Sequence, residues 1–161
     1  MPFSALGFIG LSQHLGINRF FSRLGLAFML FGLVAAMLAA AVNGLTLPFF
    51  ISDYAEANQA TIAAIKPILR YNMAFNHSFD YLLIGAMFLS MFLWSISIFR
   101  SGRLPRWLAY LGFTIVAVVV GAGVSGFYFL DLHGFRMFVF GWLVWIVATA
   151  VSLWSASEET V

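Results

Sequence analysis

The chain alternates between long apolar runs and short polar punctuation, and the runs have the length of membrane-crossing helices. Four stretches contain no Asp, Glu, Lys or Arg: 24–52, 81–99, 107–130 and 137–157, with lengths of 29, 19, 24 and 21 residues. A helix needs roughly 20 apolar residues to cross the hydrocarbon core of a bilayer. A membrane β-barrel would instead show segments of about 10 residues alternating between apolar and polar. The run Phe113–Thr114–Ile115–Val116–Ala117–Val118–Val119–Val120 shows no such alternation. With no water to satisfy its backbone, each stretch is expected to be helical. The pattern predicts an all-α integral membrane protein, a single transmembrane domain over 1–161. Its four transmembrane helices, at 24–47, 80–99, 107–130 and 136–156, are expected to form an antiparallel bundle.

Two other segments carry weaker patterns. In residues 1–23, His14, Asn18 and Ser22 recur every four positions, which puts them on one helical face. This predicts an N-terminal interfacial helix lying on the membrane surface. Arg19 and Arg23, the apolar run and Ala39–Ala40–Ala41 superficially resemble a signal peptide, but the run before the alanines is long, so the helix is expected to be retained. Residues 48–79 form the one long connection, expected as an outer loop containing an amphipathic helical segment. Ser52 and Asp53 with Glu56 give a helix-start signal; Ile62, Ile65, Leu69 and Met73 then follow at helical spacing among polar Asn58, Thr61 and Arg70. Pro67 is expected to kink or divide this helix.

Composition narrows the function classes. The chain is 63% hydrophobic and 9% charged, whereas a typical soluble domain is about 45–50% apolar and about 25% charged. Disorder is excluded by the same balance. The net charge of +2 arises from scattered basic residues, so no basic face for nucleic acid is expected. Absence of cysteine removes disulfides, thiolate metal sites and thiol catalysis.

Five basic residues (Arg19, Arg23, Arg100, Arg103 and Arg106) fall on one side of the predicted membrane, and Lys66, Arg70 and Arg136 on the other. That asymmetry predicts cytoplasmic N and C termini. Trp94, Trp107, Tyr110 and Trp154 are expected at the cytoplasmic interface, and Tyr81 and Tyr128 at the opposite one. The turn Arg100–Ser101–Gly102–Arg103–Leu104–Pro105–Arg106–Trp107–Leu108, followed by a Gly-bearing apolar helix, resembles a turn of bacterial multi-spanning proteins. The resemblance carries no activity with it; a compact, cysteine-free, bacterial-looking chain is the basis for expecting a bacterial inner-membrane setting.

Small residues allow close helix packing in lipid, where hydrophobicity does not drive association. Gly25, Gly32 and Ala39 recur at seven-residue spacing, as do Gly141 and Ala148; Gly121, Ser125 and Gly126 form a third small group. These predict packing faces, within the bundle or between copies. Phe79, Phe88, Phe92 and Phe99 are expected to face lipid or fill the core.

Polar groups gather at the predicted outer ends of the helices. His77 and Asp80 lie three apart on one helical face, and Asp131 and His133 two apart in a turn. Two imidazoles and two carboxylates make a candidate ligand set for a transition metal; the two histidines alone are candidate axial ligands of haem. Asn43, Asn76 and Arg136 would support such a cluster. Set against this, polar residues collect at helix ends in every membrane protein, and neither spacing is specific. No phosphate loop, His–Glu–x–x–His or nucleophile elbow occurs. The sequence thus favours a non-enzymatic membrane protein acting by association, as an accessory, scaffold or assembly subunit. It would have the lipid bilayer and another copy or another membrane protein as partners, with no cofactor required. A haem- or metal-dependent oxidoreductase at the outer face, and an oligomeric channel or lipid-binding protein, remain the alternatives.

Overall fold

The computed structural model describes residues 2–16, 19–54, 56–126 and 132–158, and every regular element among them is helical. Helix α1 spans Pro2–Leu15 and α2 Phe20–Ala41. A π-helical turn, Val42–Thr46, carries α2 into α3, Leu47–Ser52. Helices α4 (Gln59–Ser101), α5 (Arg106–Val124) and α6 (Leu132–Glu158) follow. Four segments are long and apolar enough to cross a membrane: Phe20–Ser52, Gln59–Ser101, Arg106–Val124 and Gly134–Ser155.

The punctuation between helices follows from single residues. Gly16, at φ +95°, breaks the expected N-terminal helix before Ser22, so residues 2–22 are two helices meeting at a turn. Pro48 has no N–H to offer the carbonyl of Gly44, and its ring would crowd that carbonyl. The helix widens by one residue just upstream, with Leu47 N–H donating to Val42 O. Gly102, at φ +65°, ends α4 with its N–H on Ile98 O. Gly126, at φ +82°, ends α5, with its N–H on Gly123 O.

The segment expected as an outer loop is mostly helix. Rather than a loop over 48–79 and a span from 80, α4 runs unbroken for 43 residues, about 65 Å at about 1.5 Å per residue. It starts at Asn58, whose Oδ1 accepts from the backbone N–H of Thr61 at 2.9 Å and from its hydroxyl at 3.1 Å. Asp53 and Glu56, the expected start, precede the helix. Pro67 does not divide α4; it removes one backbone bond where Ala63 and Ala64 are exposed. The bilayer core is only about 30 Å thick. A tilt of about 40° would still leave α4 about 50 Å along the membrane normal.

The core lies toward one end, under the α1–α2 and α4–α5 turns. There α1, α2, α4, α5 and α6 contribute Leu11, Met29, Trp94, Leu108 and Trp145 among others. The most extensive helix contact is α2 against α4, followed by α4 against α5. Away from this end large apolar side chains stand exposed: Leu45 and Phe49 near α3, Tyr71, Met73 and Tyr81 on α4, Val118 and Val124 on α5.

Candidate functional site

Two groups of polar residues compete for attention, one at each end. At the turn end, four aromatic rings stack across three helices. Phe8 of α1 lies 5.4 Å from Trp94 of α4, Trp94 lies 6.2 Å from Trp145 of α6, and Trp142 lies 5.7 Å from Trp145, all at low interplanar angles. Buried indoles need an acceptor for their N–H. Trp94 Nε1 donates to Ser12 Oγ at 3.0 Å, and Trp145 Nε1 donates to Leu108 O at 3.2 Å.

These rings fit because facing positions are small. A Cβ at Gly25 would lie 3.0 Å from Trp94 Nε1, and one at Gly112 would fall 2.8 Å from Trp145 Nε1 and collide with Ser95 Oγ. A Cβ at Gly32 would meet the Ala86 Cβ at 2.8 Å. Of the small residues singled out by spacing, Gly25 and Gly32 therefore sit at close approaches of α2 and α4. Gly141 is in ordinary contact, 3.5 Å from Ile115, and Ala39 and Ala148 are half-buried. Among the described residues nothing lies within 4 Å of a Cβ at Gly121 or Gly126, and Ser125 donates to Gly121 O at 2.8 Å.

The same end fastens α1. The last carbonyls of a helix have no partner within it. Here Ser12 O accepts from Ser22 Oγ at 3.0 Å, Gln13 O from Gly16 N–H at 3.0 Å, and His14 O from Arg103 Nη1 at 2.7 Å. Helix α1 thus buries Phe8, Leu11, Ser12 and Leu15 against α2, α4 and α6, while Phe3 and Leu6 stay exposed. Trp94, expected at the interface, is fully buried, whereas Trp107, Tyr110 and Trp154 are exposed.

At the far end, the candidate ligands are only partly described. His77 is exposed on α4 and Asp80, one turn on, is half-buried. Asp131 and the side chain of His133 lie outside the described residues, and Arg136 and Asn43 are exposed. Asn76 is half-buried, with its Oδ1 enclosed and lacking a hydrogen-bond partner. Among the described residues no three of His, Asp and Glu converge on a metal position.

The residues of this packed end that spacing did not single out are Ser12, Ser95, Arg103 and Gly112, together with Trp142 and Trp145. Ser95 and Ser97 are buried with hydroxyls that find no partner, and Ser90 donates to Met87 O at 2.8 Å. The one available signal was serine recurring in the apolar stretch 90–97, since hydroxyls in lipid usually face other helices. The chain matches no family model, no curated protein and no solved structure.

Proposed function

We propose that the protein acts by association, as an accessory or assembly subunit of a bacterial inner-membrane complex. In this reading its spans form an antiparallel four-helix bundle with both termini cytoplasmic. The observation that carries the reading is the reach of α4. Its first turns extend well past what a bilayer core of about 30 Å can cover, yet they expose Ile62, Ile68 and Tyr71. Lipid tails cover apolar side chains within the core, but not beyond it. Exposed large apolar side chains in a polar setting suit contact with a partner. The partner is a second copy or another membrane protein presenting an apolar helix face.

Purification of the full chain in mild detergent, followed by mass measurement, tests this. The expected result is a homo-oligomer or a defined complex that falls apart in the I62S/I68S/Y71S variant. A strictly monomeric protein with no co-purifying chain overturns the proposal. Because the chain has no cysteine, Ile68→Cys gives a single cross-linking position, and a homo-oligomer built on this face yields a cross-linked dimer.

A further inference from the structure

At the turn end a groove of about 570 Å³ runs between the α4–α5 turn and the end of α6. Arg103 and Arg106 line it, Pro105 and Val151 give it an apolar side, and Ser152 and Ser155 face it from α6. We propose that this groove binds a bilayer phospholipid with an anionic, hydroxyl-bearing headgroup of the phosphatidylglycerol type.

Charge complementarity carries the assignment. Arg100, Arg103 and Arg106 fall within seven residues, and each guanidinium is held by something other than an acid. Arg100 lies over the Phe21 ring at 5.0 Å, Arg106 over Phe99 at 5.9 Å, and Arg103 donates to His14 O. Among the described residues none of the three meets a carboxylate, and the chain has no Asp or Glu between 1 and 52 or between 81 and 130; Glu158 and Glu159 follow Ser155, and their side chains lie outside the described residues. A guanidinium has five N–H donors in a planar fork. Arg103 commits one of its donors to His14 O, and the stacked Arg106 keeps its edge free. Two guanidiniums lining one groove suit the oxygens of a phosphate. At the end of a membrane-crossing helix, the anions present in quantity are lipid headgroups.

The serines choose among anionic lipids. Ser152 Oγ donates to Ala148 O at 2.9 Å and Ser155 Oγ to Val151 O at 3.2 Å. With their protons committed, both oxygens can only accept. They suit the two hydroxyls of a glycerol headgroup better than a bare phosphate monoester, which brings at most one O–H. Val151 and Pro105 would border the first carbons of the acyl chains.

Native mass spectrometry of the full chain, titrated with phosphatidylglycerol, phosphatidic acid or phosphatidylcholine, tests the site. The expected result is phosphatidylglycerol retained about tenfold more strongly than phosphatidylcholine, with the preference abolished in R103Q/R106Q and unchanged in K66Q/R70Q. S152A/S155A should remove the preference for phosphatidylglycerol over phosphatidic acid while leaving phosphatidic acid binding intact. Arg103 also anchors α1, so R106Q alone, which leaves that anchor in place, decides the matter if the double variant unfolds; it should weaken phosphatidylglycerol retention severalfold. Equal retention of phosphatidylglycerol and phosphatidylcholine overturns the proposal, as does an R106Q variant indistinguishable from the parent. Displacement of the lipid by millimolar inorganic phosphate also overturns it, by showing a free-anion site. None of these outcomes depends on whether the protein oligomerises through α4.

Discussion

The two ends of this molecule obey different packing rules, although both are built from the same apolar alphabet. At the turn end, large rings face glycines, hydroxyls accept from indoles, and the last carbonyls of α1 are taken up by Ser22 and Arg103. At the far end, Phe49, Tyr71 and Tyr81 stand outward, and their neighbours are chiefly on their own helix, as in the Tyr71–Phe75–Phe79 ladder. One end is locked by shape and polar pairing. Exposed apolar side chains occur at both ends, Phe3, Phe20 and Trp154 at the turn end among them, but among the described residues the far end lacks a comparable interlocked core. The interlocked core and the region we propose as an interaction surface thus lie at different positions along α4.

The largest expected break in that contrast is Trp94→Ala. It removes a fully buried indole stacked on Phe8 and Trp145 and should cost about 3–5 kcal/mol. Phe49→Ala, at an exposed site, should stay within about 0.5 kcal/mol. Thermal unfolding of both in the same detergent reads the difference; equal shifts would erase the distinction between the ends. Next comes Gly112→Val, which forces a branched side chain into space held by Ser95 and Trp145. Overpacking of this kind costs about 1–3 kcal/mol or more, whereas Gly121→Val, in open space among the described residues, should be nearly silent.

Smaller changes sharpen the comparison locally. Ser22→Ala leaves Ser12 O without its donor, a loss of about 1–2 kcal/mol. Amide exchange should accelerate about tenfold in Pro2–Leu15 and stay unchanged in Trp94–Ile98. Unaltered protection of α1 would mean that its carbonyls are satisfied some other way. The smallest effect is expected from Asn58→Ala, which removes the N-cap of α4. It should fray the first turn by about 1 kcal/mol, visible as faster exchange at Thr61 and Ile62, with the global melting temperature unmoved because the core lies at the other end.

Much of the membrane architecture was legible from charge placement, because a carboxylate or guanidinium is costly in hydrocarbon wherever the helices pack. The extent of α4 was not legible. Pro67 reads as a break in isolation, yet its freed carbonyl lies on exposed helix, where the penalty is small. Nor was the fastening of α1 visible. His14, Asn18 and Ser22 suggest one wet face, but α1 ends before Gly16 and Ser22 is buried, donating to Ser12 O, while Asn18 lies outside the described residues. Of the expected ligand cluster, only the placement of His77 and Asp80 one turn apart on α4 was legible. The arginine groove joins a turn to residues some fifty positions later, and spacing along a single helix carries no information about such a meeting.

The sequence alone determined that the chain is helical and carries four membrane-length spans, because an apolar run of sufficient length has no other way to satisfy its backbone in lipid. The tertiary structure decided which faces meet. Lipid tails are as apolar as leucine, so hydrophobicity does not distinguish a packed face from a lipid-facing one. What distinguishes them is complementarity across helices: Gly25 and Gly112 opposite tryptophans, Ser12 beneath an indole N–H, Arg103 on the end of α1. Each is a relation between residues distant in the chain, and each exists only once the helices have come together.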